Sequence, residues 1–240
     1  MKNLLYVLLL CSLSLHAQEW HSGTKQTQLV ELYTSEGCSS CPLADRWLST
    51  HKSNRKLFDD FIPIAFHVDY WDYIGWKDRF ASPEHTKRQR RHEKAGNIKQ
   101  VYTPGFVINS KEWKSWFVGR TKLPKSNNKA GELDVFLEEN SQNTKILKVN
   151  YSEKQGTVLH VAYLGMGIKN RVKAGENRNK FLKHDFVALN YFSLPGNQKW
   201  TVALADVPQI GQNKTALAVW VSNKDSTQVL QAVGGYLDQE

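Results

Sequence analysis

The stretch Leu29-Val-Glu-Leu-Tyr-Thr-Ser-Glu-Gly-Cys-Ser-Ser-Cys-Pro-Leu-Ala-Asp-Arg-Trp-Leu48 constrains this chain more than any other. Its start, through Tyr33, is a short apolar run broken only by Glu31, the length a core strand needs. Gly37 then permits a turn. Cys38 and Cys41 stand three apart, so on a helical first turn both sulfurs lie on one side, close enough to join as a small disulfide. Pro42 fits a first turn, where its missing N–H would have no intrahelical partner anyway. Leu43, Trp47 and Leu48 repeat at helical spacing and can pack a helix onto a sheet.

This order places Cys38 at a helix N-terminus, where the free N–H groups and the dipole stabilise a thiolate at neutral pH. That is the redox reading of the C-x-x-C pair. Its alternatives are a purely structural disulfide and half of a zinc site. Zinc would want a second Cys or His pair at ligand spacing, and the sequence offers none. Strand, turn, C-x-x-C and helix in sequence is the context that favours redox chemistry.

The first 17 residues begin Met-Lys, run apolar from Leu4 to Leu15 and end His16-Ala17, the pattern of a secretory signal peptide. Its core is too short to span a bilayer, and no other stretch approaches the roughly 20 apolar residues that a membrane helix needs. The chain is therefore not expected to be an integral membrane protein. Cys11 falls inside the leader, which leaves Cys38 and Cys41 in an oxidising, periplasmic or secreted setting where a disulfide persists. What remains exceeds a usual single domain. The net charge is +9, or +8 without Lys2. That surplus favours acidic partners or an anionic membrane surface, or serves solubility alone; no nucleic-acid partner is expected.

After the first helix, Phe61-Ile-Pro-Ile-Ala-Phe-His-Val-Asp69 reads as a second core strand, completing a β-α-β unit. A right-handed crossover makes the strands parallel and brings His67 and Asp69 to the edge that bears the thiols. Tyr70-Trp-Asp-Tyr-Ile-Gly-Trp76 holds four aromatics. Ser82-Pro83-Glu84 starts a helix that Gly96 stops. The segment that opens at Lys77 and closes at Lys99 carries eight Lys or Arg against three Asp or Glu, with scarcely an apolar stripe, so the basic helix is expected on the surface. Val101-Tyr-Thr-Pro-Gly-Phe-Val-Ile-Asn109 is a Thr-Pro turn leading into a strand, with Trp116-Phe-Val-Gly119 as a hairpin partner. Leu133, Phe136 and Leu137 suggest one more short helix. From Thr144 six short runs of alternating Val, Leu and aromatics read as antiparallel strands. Between the second and third lies a basic insertion containing Gly175-Glu-Asn177.

The element order of residues 27–142 resembles the thioredoxin fold. The resemblance implies that Cys38 is the attacking thiol, Cys41 the resolving thiol and Thr103–Pro104 a cis bond lying against the thiols, with Glu31 a buried acid that assists Cys41. More closely, Val30 to Asp45, Phe66-His-Val-Asp-Tyr-Trp-Asp-Tyr-Ile-Gly-Trp-Lys-Asp78, Arg88-Gln89, Val101-Tyr-Thr-Pro104 and Gly175-Glu-Asn177 resemble a family of secreted bacterial proteins known only as domain of unknown function twelve-twenty-three. That likeness spans nearly the whole chain after the leader and implies fold and compartment without a reaction. The sequence has Cys-Pro-Leu where the family more commonly has Cys-Pro-Pro. It also lacks the Trp before the first Cys and the Gly-Pro between the thiols of typical thioredoxins, so no redox direction carries over.

The expected architecture is an α/β thioredoxin-like domain with C-x-x-C and cis-Pro over 27–142, followed by an all-β, antiparallel-sandwich domain over 144–240. The expected function is thiol-disulfide exchange on protein or small-thiol substrates, with Cys38, Cys41, Pro104 and Glu31 at the site and no cofactor. Tyr70, Trp71, Trp76 and Thr103 would wall a substrate groove, or the aromatics would serve as packing. The alternatives are a non-catalytic binding module with a structural disulfide, and a copper-binding chaperone using Cys38, Cys41 and His67.

Overall fold

The computed structural model describes residues 17–153, 156–224 and 226–238. The expected leader up to His16, with Cys11, lies outside them. In chain order the elements are β1 (Gln18–His21), β2 (Gln28–Thr34), α1 (Cys41–Ser49), β3 (Phe61–His67), α2 (Pro83–Lys94), β4 (Gly105–Ile108), β5 (Lys111–Glu112), β6 (Leu133–Glu139) and β7 (Lys145–Tyr151). There follow β8 (Thr157–Met166), β9 (Ile168–Arg171), β10 (Phe181–His184), β11 (Val187–Gly196), β12 (Lys199–Ala203), β13 (Lys214–Asn223) and β14 (Val229–Tyr236). No described helix is long and apolar enough to cross a membrane.

These elements overturn the expected thioredoxin-like domain followed by a separate sandwich. One eight-stranded sheet, ordered β14-β13-β8-β11-β3-β2-β4-β5, takes strands from both halves of the chain. The joint is β3, which pairs in parallel with β2 on one side and with β11 on the other. Strands dominate, with two α-helices among the described residues. A second, antiparallel sheet ordered β1-β6-β7-β12 draws its edge strand from residues before β2. A ribbon of β9 and β10 completes the strands.

Local corrections have physical causes. Leu133, Phe136 and Leu137 do not start a helix. Leu133, Val135 and Leu137 are buried in alternation along β6, and period two prevails because β1 and β7 pair with both edges of that strand. The partner of β4 is the two-residue β5; Trp116 falls in a 3-10 turn, Ser115–Val118. The start of α2 is as read: the Ser82 hydroxyl accepts from the Glu84 N–H, with Pro83 next.

Alternation along β8 and β13 separates the core. Leu159, Val161, Tyr163, Leu217 and Val219 pack with Leu133, Val135, Leu147 and Val149 of the smaller sheet. Ala162, Leu164, Ala216, Ala218 and Trp220 belong with β2, β3 and β4. On β2, Glu31 meets α2 through Arg88, whereas Thr34 meets α1 through Asp45, so the two helices cover opposite faces.

Candidate functional site

Cys38 and Cys41 form a disulfide with Cα atoms 5.4 Å apart. The helix begins at Cys41, and Cys38 sits in the preceding turn, its carbonyl accepting from the Cys41 N–H at 3.2 Å. Both sulfur residues are buried: Cys38 is 1% and Cys41 0% exposed. Ser39 and Ser40 between them face solvent.

The turn is held from three directions. Asn177 Nδ2 donates to the carbonyls of Glu36 and Cys38 at 2.8 Å each, and the Glu176 carboxylate accepts from the Ser39 N–H at 2.9 Å. Gly175, with φ of +69°, lets the loop bend close beside Ile74 and Trp76. Thus Gly175-Glu-Asn177 is a clamp on the thiol turn. Trp76 Nε1 donates to Glu36 at 2.9 Å and Trp71 Nε1 to the Thr103 hydroxyl at 2.7 Å, while Tyr70 donates to Gln89. Among these half-buried aromatics it is Trp76 that ties to the turn, whereas Trp71 and Tyr70 tie to the Thr103 loop and to α2. Thr103–Pro104 is cis.

Glu31 does not serve Cys41. It lies three residues from Thr34, hence on the other face of β2, where Arg88 binds both its oxygens at 2.6 and 2.9 Å and Tyr33 donates at 2.8 Å. Burial alone would raise the Glu31 carboxyl, but the charges of Arg88 and His92 outweigh it and hold the acid well below its ordinary value. Arg88 also lies over Phe66, Tyr191 and Trp220. This buried face of α2, with His85, Thr86, Gln89 and His92, corrects the expectation of a wholly solvated basic helix. The helix packs through polar groups with dedicated partners.

Beneath the turn lies a second cluster. Thr34 and His67 are register partners on β2 and β3, and the Thr34 hydroxyl donates to Asp45 Oδ2 at 3.2 Å. His67 Nδ1 is 2.7 Å from Asp78 Oδ2, which also accepts from the Glu36 N–H. His184 Nε2 is 3.1 Å from Glu36 Oε1. Burial pushes the His67 imidazole down, but Asp78, joined by Asp45 and Glu36, more than offsets it and lifts the pKa to about 9. Burial raises Asp45, with the nearby histidines pulling the other way. His67 thus gathers with Asp45 and His184 instead of with two free thiols, and Asp69 binds the Thr86 hydroxyl instead. Asp45 and Asp78 stood inside recognisable motifs. His184 carried no local signal, because only the pairing of β10 with β9 brings it here.

The fold and site define a disulfide-bearing protein of two large sheets and a two-stranded ribbon, with a clamped C-x-x-C turn over a buried histidine and carboxylate cluster. A family model described as "Protein of unknown function (DUF1223)" matches residues 29–222. The chain belongs to that family. It is also similar to a structural-genomics crystal structure from Agrobacterium tumefaciens, at 22% identity and a TM-score of 0.61, covering 91% of this chain and 100% of that one. HBP35 of Porphyromonas gingivalis matches at 13% identity and a TM-score of 0.49, over 91% of this chain and 77% of that one. No curated protein matches.

Proposed function

We propose that this is a non-catalytic binding protein in which Cys38–Cys41 is a structural staple. The observation that carries the reading is the closure of the thiol turn: both cysteines are buried, and Asn177 bonds the backbone on either side of Cys38. Exchange needs an attacking thiolate to reach a disulfide sulfur. Here the clamp must lift first. A disulfide that persists suits an oxidising compartment, so we place the protein in the periplasm or outside the cell. The solvent side of α2, with Lys87, Arg90, Arg91 and Lys94, is the face for an acidic partner or anionic surface.

Thiol-disulfide exchange on a protein or small thiol is the second reading. Exposure of Ser39 and Ser40 favours it, because the turn itself reaches the surface. The trapping variant Cys41→Ser separates the two. Incubated folded with oxidised glutathione and with a disulfide-bonded protein, it stays unmodified at Cys38 if the disulfide is a staple. Rapid accumulation of mixed disulfide on Cys38 would overturn the staple reading in favour of exchange.

A further inference from the structure

We propose that Asp45, His67 and His184 bind one divalent first-row transition metal ion of the zinc type. The proposal rests on the binding-protein reading and names its ligand. One ligand atom from each residue lies within 4.8 Å of the others, and all three residues are buried. His184 Nδ1 is 3.8 Å from Asp45 Oδ2. Two ligands on a tetrahedral ion with bonds of about 2.0–2.1 Å stand roughly 3.3 Å apart, so small side-chain rotations close the site.

The inward nitrogens make the cluster more than a coincidence of polar residues. His67 Nε2 and His184 Nδ1 are buried and have no hydrogen-bond partner, which is costly unless something else occupies the space. Their outward nitrogens are both held by buried carboxylates, His67 Nδ1 by Asp78 and His184 Nε2 by Glu36. A carboxylate on the far nitrogen fixes the ring and raises its basicity, which is how ligating histidines are supported. The rings are also fixed by contact with each other and with Phe80, centroids 5.1 to 5.5 Å apart.

Charge and donor type select the ion. Three buried carboxylates, Glu36, Asp45 and Asp78, surround two imidazoles, a balance that a dication offsets. Two nitrogens and one oxygen suit zinc and its neighbours, whereas magnesium and calcium require oxygen-rich sites. Three protein ligands leave one position for water. The staple contributes by geometry. Cys41 opens α1 and Asp45 follows one turn later on the same face, so fixing the helix start also fixes the carboxylate.

The test uses the oxidised full-length chain, stripped with a chelator and titrated with zinc chloride by calorimetry, then with cobalt(II) followed by its visible absorption. The expected result is one ion per chain in each titration, with excess magnesium or calcium failing to compete. The near-isosteric variants Asp45→Asn and His184→Gln should abolish stoichiometric binding, and Asp78→Asn, which touches no metal ligand atom, should weaken it 10- to 100-fold. Asp78 also accepts the Glu36 N–H, so that variant loosens the support of both histidines. Far-ultraviolet circular dichroism on each variant confirms that it is folded. Absence of stoichiometric zinc and cobalt binding in the wild type, or binding unchanged in folded Asp45→Asn and His184→Gln, would overturn the proposal. Assaying the same samples for release of thiols keeps the two readings apart: a disulfide that exchanges freely defeats the staple, and a metal-free chain with an inert disulfide defeats the metal site alone.

Discussion

Asn177 reaches across 139 residues of sequence to donate its side-chain amide to the Cys38 carbonyl at 2.8 Å, and the same nitrogen serves the Glu36 carbonyl. Removing that amide takes the donor from the buried Glu36 carbonyl and leaves the Cys38 carbonyl with the Cys41 N–H alone. Asn177→Ala should therefore destabilise the fold by about 1–3 kcal/mol, read as a fall in thermal midpoint. Asn177→Asp, which supplies acceptors only, should not restore it.

The Glu31–Arg88 pair makes a second, independent prediction. Both side chains are buried and joined by two short hydrogen bonds. Deleting one partner strands a charge, so Arg88→Met or Glu31→Leu alone should cost about 3–5 kcal/mol, whereas the double variant should recover much of the loss. A denaturation double-mutant cycle measures this. Additive losses would show that the pair is not coupled.

Stability should decline in acid for reasons with named residues. The folded pKa of Glu31 is depressed, so its contribution is present above about 4.5 and lost as pH falls toward the folded value. Burial depresses His85 to about 4 and holds His160 well below its ordinary value, so the unfolded chain takes up protons below 6.5 that the folded one refuses. His67 runs the other way: its folded pKa is raised to about 9, so its contribution is complete below 6.5 and lost as pH rises through 9. Chelator-treated protein should therefore be most stable near pH 6.5, falling off in acid through Glu31, His85 and His160 and falling from 6.5 to 9 through His67. Urea midpoints from pH 4 to 9 check the profile.

Much of the thiol region was legible in the sequence because local chemistry dictates it. Gly37, the C-x-x-C spacing and Pro42 set the turn and the helix start, and Ser82-Pro83-Glu84 set α2. Register and parity were not legible. Whether Glu31 faces Cys41 or Arg88 depends on which side of β2 each helix covers, and α2 covers the Glu31 side while α1 covers the Thr34 side. The basic helix misled for a related reason: its composition records charge but not that Arg88, Gln89 and His92 find buried partners on distant strands. His184 reaches the cluster only through the ribbon with β9.

As a staple, the disulfide should contribute stability in proportion to the short loop it closes. Chain-entropy arguments give about 2 kcal/mol for so small a loop. Cys38→Ser with Cys41→Ser should therefore fold with a lower urea midpoint and an unchanged far-ultraviolet spectrum. Loss of the fold would assign the disulfide a larger part than loop closure.

The most direct test of the staple is the rate at which dithiothreitol reduces Cys38–Cys41 in the folded wild type, followed by alkylation and mass spectrometry beside the urea-unfolded chain and Asn177→Ala. The buried sulfurs and the Asn177 clamp predict reduction at least tenfold slower in the folded wild type than in the unfolded chain, with Asn177→Ala in between. Reduction of the folded wild type as fast as the unfolded chain would contradict the staple.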